Sequence, residues 1–262
     1  MVAAVVAAVS WLLRAGGSVG YNSKQSLLPH GKGKLPDVAT LSEYAYDAIS
    51  VAFVIALIGG YHTYLRALAR RNPSAVLSSV AAVARADWVA TMMEGRGNGV
   101  LAIQTLRNST MAATFLASTS ILLIVGVLSL SGQASSLETA WHHLNIAGSL
   151  KPELWLIKVL SLLLTLFSAF FSFSNAIRIY NHVGYMINAQ FGLDRKRFTP
   201  VQVASELNRG GRYYSLGTRA YYYLVPQVFW LFGPTYMVGS ALIMVLVMLP
   251  RIDKTPPGTR SS

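Results

Sequence analysis

Seven polar residues near the ends of long apolar stretches are the candidates for a site in this 262-residue chain: His62, Gln104, Arg107, Asn108, Asn175, Arg178 and Arg219. If their helical levels match, they form a hydrogen-bonded layer at one end of a helix bundle. Arg107, Arg178 and Arg219 could then hold a phosphate, such as a lipid head group, because guanidinium forks match phosphate oxygens. The same residues also read as arginines snorkelling to an interface beside a hydrogen-bonded histidine. A second set is Ser161, Thr165, Ser168 and Ser172, continued by Asn175. Their spacings of four, three, four and three place them on one helix face, opposite Phe167, Phe170 and Phe173. Small hydroxyl residues let membrane helices approach closely and bond across an interface. The alternative is a hydrophilic path through an oligomer. Gly59-Gly60 and Ala112, Ala113, Ala117 and Ser120 offer complementary small surfaces.

Catalytic chemistry finds little to work with. There are no cysteines, which excludes thiolate catalysis, disulfides and Cys-ligated metals. Asp and Glu are absent from 48–86, 95–137, 154–193 and 207–252. Proton-coupled carriers and di-metal carboxylate enzymes need such groups inside the bundle. His142, His143 and His182 lack a third ligand at a sensible spacing. No Walker loop, dinucleotide fingerprint, nucleophile elbow or HExxH occurs, and the Gly95–Gly99 run joins two helices. The expectation is a protein without catalytic, metal or cofactor residues, and not an enzyme.

The elements that would position these residues are set by hydropathy. The chain is 53% hydrophobic and 12% charged, about half the charge of a soluble domain. Lipid is the medium that suits such a surface. Four stretches reach the roughly 20 apolar residues a spanning helix needs: 44–69, 109–130, 154–191 and 220–249. Pro226 and Pro234 mark kinks in the last. The predicted fold is all-α, an integral membrane four-helix bundle with short amphipathic interfacial helices in its loops. Residues 1–43 form an N-terminal extension, 44–250 the transmembrane domain and 251–262 a polar tail.

Basic residues crowd the first and third connections, whereas the second holds Lys151, with Lys158 just inside the next helix. That bias puts the two basic loops inside and both termini outside. The net charge of +12 then fits anionic lipid head groups, not nucleic acid. Trp155 suits the outer interface, and Trp88 and Tyr221 to Tyr223 the inner one. After Pro73 an amphipathic helix carries Val76, Val80, Val83, Trp88 and Met92 near one face. Thr199-Pro200-Val201-Gln202 has the form of a capping box opening a short helix that stops at Gly210-Gly211. Residues 1–36 hold four basic and no acidic residues, a composition shared by organellar presequences. An organelle inner membrane is one address consistent with that.

The run from Val100 through Gln104, Arg107 and Asn108, continuing over Ala117 to Leu123, resembles the domain of unknown function 599 family of membrane proteins. Tyr61-His62, Arg85 with Trp88-Val89, Val203 to Leu207, and Gly217-Thr-Arg219 leading to Pro226, Trp230 and Phe232-Gly233-Pro234 are similar too. The resemblance spans roughly 45 to 250 and is nearest to the plant branch. It implies a multipass membrane protein and no defined activity. Three roles follow as expectations: a structural or accessory subunit of a membrane assembly, as a homo-oligomer or with other subunits; an oligomeric channel or transporter using the hydroxyl face; or lipid binding at the arginine layer.

Overall fold

The computed structural model describes residues 38–94, 98–131, 152–189 and 198–255, and all elements named here lie within them. The described residues are helical with no sheet. Helix α1 is Val38–Arg71, followed by a 3-10 turn at Pro73–Ala75 and helix α2, Leu77–Glu94. Helix α3 is Gly99–Ser131, α4 Pro152–Ala189 and α5 Pro200–Phe232. Helix α6, Pro234–Ile243, runs through a π-helical stretch at Met244–Met248 into α7, Leu249–Asp253.

Four helical stretches are long and apolar enough to cross a membrane: Ala45–Arg71, Gly99–Ser131, Leu154–Ala189 and Pro234–Asp253. The first three match the expected spans. The second is longer than its expected span, since 33 helical residues reach about 50 Å against a hydrocarbon thickness of about 30 Å. In α4, 39% of the most apolar window is buried by protein, against 22%, 22% and 25% in the others, which makes α4 the central helix. It packs along α3 on one side and α5 on the other.

The fourth expected span is corrected. Residues 220–249 are not one kinked helix but the two arms of a hairpin. Gly233 has φ 142° and ψ 158°, a conformation open almost only to glycine, and Pro234 starts the returning helix. Trp230 and Met237 share one apolar cluster near the turn, while Arg219 of α5 reaches Asp253 at the far end of α7. The chain therefore reverses at Gly233.

The expected stop at Gly210-Gly211 is corrected as well. The capping box is present: Thr199 Oγ1 accepts from Gln202 N at 3.3 Å, and Thr199 N donates to Gln202 Oε1 at 3.1 Å. The helix it opens continues to Phe232. Its glycines serve close approach. A Cβ on Gly210 would lie 2.8 Å from Tyr180 Cε1, on Gly211 2.9 Å from Arg85 Cζ, and on Gly217 2.7 Å from Phe173 Cζ. Phe173 is fully buried with Ala117, Ala169 and Ala220, so this part of the expected phenylalanine face is covered by protein.

Two further expectations change. The apolar face of α2 is Val89, Met92 and Met93, packed with Val203, Ala204 and Leu207 of α5; Val80 and Val83 are exposed. Val76 is buried, but with Tyr61 and Leu65 of α1 and Met244 and Val245 of the π-helical stretch. Both termini were expected on one face because 220–249 counted as one pass. The reversal at Gly233 divides that stretch into two helical arms. Thr255 N donates to Ala75 O at 3.2 Å and its Oγ1 to Ser74 O at 2.9 Å, beside the end of α1. The start of α1 and the end of α7 thus lie at opposite ends of the bundle. The packed structure also extends through Thr255, and Asp253 is buried. Residues 1–37, His142, His143 and Lys151 lie outside the described residues.

Candidate functional site

Each end of the bundle holds a buried polar cluster that joins α1 to the other helices. At the α2 end, His62 on α1 meets α5: Arg219 Nη1 lies 3.2 Å from His62 Nδ1, and Tyr223 hydroxyl meets His62 Nε2. Arg219 Nη2 also donates to Asp253 Oδ1 at 2.6 Å, and Tyr61 hydroxyl donates to Asp253 Oδ2 at 3.0 Å. Both oxygens of this carboxylate are engaged, which is what allows a charge to remain at 8% exposure.

At the opposite end Asp47 and Lys158 are 2% and 4% exposed, with Nζ 3.9 Å from Oδ1. Trp230 Nε1 donates to Asp47 Oδ1 at 2.8 Å, and the Lys158 ammonium stands 5.5 Å from the Trp230 ring centroid. One indole thereby serves both charges, its N–H toward the carboxylate and its face toward the cation.

Of the seven residues expected in one polar layer, the structure brings His62 and Arg219 together. Gln104, Arg107 and Asn108 are exposed on α3, whose inward face at this level is formed by Ala102 and Leu106. Arg178 is exposed and lines an open groove of about 1020 Å³ between α4 and α5, with His182, Gln202 and Arg209. Asn175 is half-buried and donates to Phe171 O at 2.8 Å.

The hydroxyl residues turn inward on their own helix. Ser161 donates to Lys158 O, Thr165 to Ser161 O, Ser168 to Leu164 O and Ser172 to Ser168 O, all within 3.0 Å. Thr165 also accepts from Gln227 Nε2 at 2.9 Å, a bond across to α5. Of the smaller surfaces, Ala113, Ala117 and Ser120 are buried, whereas a Cβ on Gly59 or Gly60 would meet nothing within 4 Å.

Three features escaped the sequence reading. Asp47 and Asp253 stand just outside the ends of acid-free stretches, where they read as flanking charges. The third is a cavity of about 620 Å³ between α2, α5 and α7, walled by Arg85, Arg212 and Arg219 with Ser78, Ser79 and Tyr222. Arg85 Nε donates to Asn208 Oδ1 at 2.7 Å, and Asn208 Nδ2 donates to Ala82 O at 3.2 Å, which fixes α2 on α5. Burial pulls the Arg85 guanidinium below the usual arginine value; Tyr180 opposes this shift and Arg212 adds to it. The signal available in the sequence was the pairing of Arg212 and Arg219 seven residues apart, two turns on one helix face.

The model of a family described as protein of unknown function, DUF599, matches residues 49–255. The chain belongs to the DUF599 family. The match takes in α2 to α7 and nearly all of the apolar part of α1, and with them the whole Asp253 cluster and the arginine-walled cavity; Asp47 lies two residues before it. No curated protein and no solved structure matches this DUF599 member.

Proposed function

We propose that this DUF599 protein is a non-enzymatic membrane protein of five crossings that serves as a subunit or scaffold of a membrane assembly, with α1 meeting the partner helix. The carrying observation is the outward face of α1. Ala48, Ala52, Ala56 and Gly60 recur every four residues, all exposed, and Thr63 and Ala67 extend the strip. In lipid, helices associate by close backbone approach at small residues, because hydrophobic burial no longer distinguishes neighbour from solvent. The equivalent small face of α3 is covered by α4; that of α1 is open.

The fifth crossing is α5. It is too polar to stand alone in lipid, with Arg209, Arg212 and Arg219 in its first two thirds. Packed along α4, it runs from the α2 end to the Asp47 end, and its partners supply what lipid cannot. The α2 end gathers the basic connections and so faces the cytoplasm or its equivalent, where anionic head groups would meet it. The start of α1 then lies on the opposite side and the end of α7 inside.

The chain has no native cysteine, so Ala56→Cys gives a single reactive site on the open strip. Oxidative cross-linking in native membranes is expected to yield one discrete larger species, whose mass tells a second copy from another subunit. Cross-linking no greater than at Phe115→Cys, on the exposed side of α3, would overturn the reading.

A further inference from the structure

We propose that the cavity between α2, α5 and α7 binds a phosphate group, presented by a lipid head group at the membrane surface or by a free phosphate. The charges of its wall, three arginines against the one carboxylate of Asp253, point to an anion. Arg219 is neutralised by Asp253, whose other oxygen is held by Tyr61. Arg85 and Arg212 have no carboxylate within ion-pair distance among the described residues. Arg85 is half-buried, its Nε donates to the neutral amide of Asn208, and its terminal nitrogens stand against the backbone of Gly211. A desolvated guanidinium beside a second cation is costly unless an anion shares the space.

The chemistry of the wall fits a phosphate in particular. Arginine forks donate in pairs to phosphate oxygens, and the hydroxyls of Ser78, Ser79 and Tyr222 stand on the same wall to meet those that remain. Leu77, Leu216 and Ile252 supply apolar lining beside them, which suits a ligand that continues into a hydrocarbon chain. The backbone is shaped for the site as well. Gly211 leaves room for the Arg85 guanidinium, and a Cβ there would lie 3.1 Å from Nη1 and 3.2 Å from Nη2. The cavity also adjoins the Asp253 cluster through Arg219, so a bound anion would bear on the contact that ties α7 to α1. This inference does not depend on α1 having a partner.

The test uses the full-length protein reconstituted in lipid nanodiscs, of phosphatidylcholine alone or with added phosphatidic acid, released into native mass spectrometry. A parallel arm titrates inorganic phosphate onto the protein in phosphatidylcholine discs and reads thermal stability. Wild type is expected to retain phosphatidic acid, or to be stabilised by inorganic phosphate, and the arm that responds names the source. Arg212→Gln, an exposed position that leaves α2 seated on α5, is expected to weaken the response about tenfold, as loss of one charge-assisted bond would. Arg85→Gln should do the same, with Arg85→Lys keeping part of it. Arg107→Gln, exposed on α3 away from the cavity, should change nothing. No response in either arm would overturn the proposal. So would equal retention by wild type and Arg212→Gln, or an equal loss in Arg107→Gln, which would mean diffuse surface charge.

Discussion

The seam between α4 and α5 and the attachment of α1 are two ways of holding a helix in a membrane. At the seam, shape does the work. Gly210 and Gly217 let Tyr180 and Phe173 lie against the α5 backbone, and the ring of Phe173 sits edge-on to Tyr214 at 5.7 Å and tilted against Tyr221 at 5.5 Å. The attachment of α1 is different. Its apolar contacts run chiefly to α6, and a polar cluster at each end fastens it to the rest. Glycine appears in both regions with opposite results, filled on α5 and open on α1. A helix held at its ends by charge keeps its outer face free, whereas a helix held along its length by interlocking side chains does not.

The largest expected effect comes from the clasp at Asp47. Asp47→Ala leaves Lys158 buried without its carboxylate and the Trp230 N–H without its acceptor, and should cost about 3–5 kcal/mol. Denaturant unfolding in detergent measures the loss, and proteolysis in α1 should rise with it. If α1 were held mainly by its apolar contacts, the loss would be nearer 1 kcal/mol, the scale of a single hydrogen bond.

Overfilling the seam comes next. Gly217→Ala forces a methyl to within 2.7 Å of a ring that is itself fully buried, and should destabilise by about 1–3 kcal/mol. Phe173→Leu in the same chain should return part of that loss, since the obstructing atoms are gone. A purely additive double variant would mean that the two side chains do not share the space.

Gly60→Ala should do the reverse. The added methyl meets nothing within 4 Å, and helix propensity favours alanine by about 1 kcal/mol, so the isolated protein should be unchanged or slightly more stable. A loss of stability on thermal unfolding would show that the strip is occupied within the chain.

The helices themselves were legible because hydropathy is a sum over many residues and needs no tertiary context. The first three spans and the Thr199 capping box followed from that and from local bonding. The hairpin did not. Gly233-Pro234 lies inside one long apolar run, where the pair reads as a kink; the Gly233 backbone and the far-end contact of Arg219 with Asp253 reveal a reversal. Helix α5 was cut short because paired glycines end helices in water, while along α4 they permit contact. The polar layer was misassembled because the sequence does not say which face of α3 is covered: Ala102 and Leu106 turn into the core, and Gln104, Arg107 and Asn108 turn away from it. The clasps were hidden at the margins, each built on an acid one residue beyond an acid-free stretch.

The proposed five crossings would put the two ends of the folded region on opposite sides of the membrane, and a cysteine-free chain makes this measurable. Ala45→Cys, Asn72→Cys and Thr255→Cys variants would be labelled in sealed, oriented vesicles with a membrane-impermeant maleimide. The account predicts that 72 and 255 label from one side and 45 from the other. Labelling of 45 and 255 from the same side would contradict it.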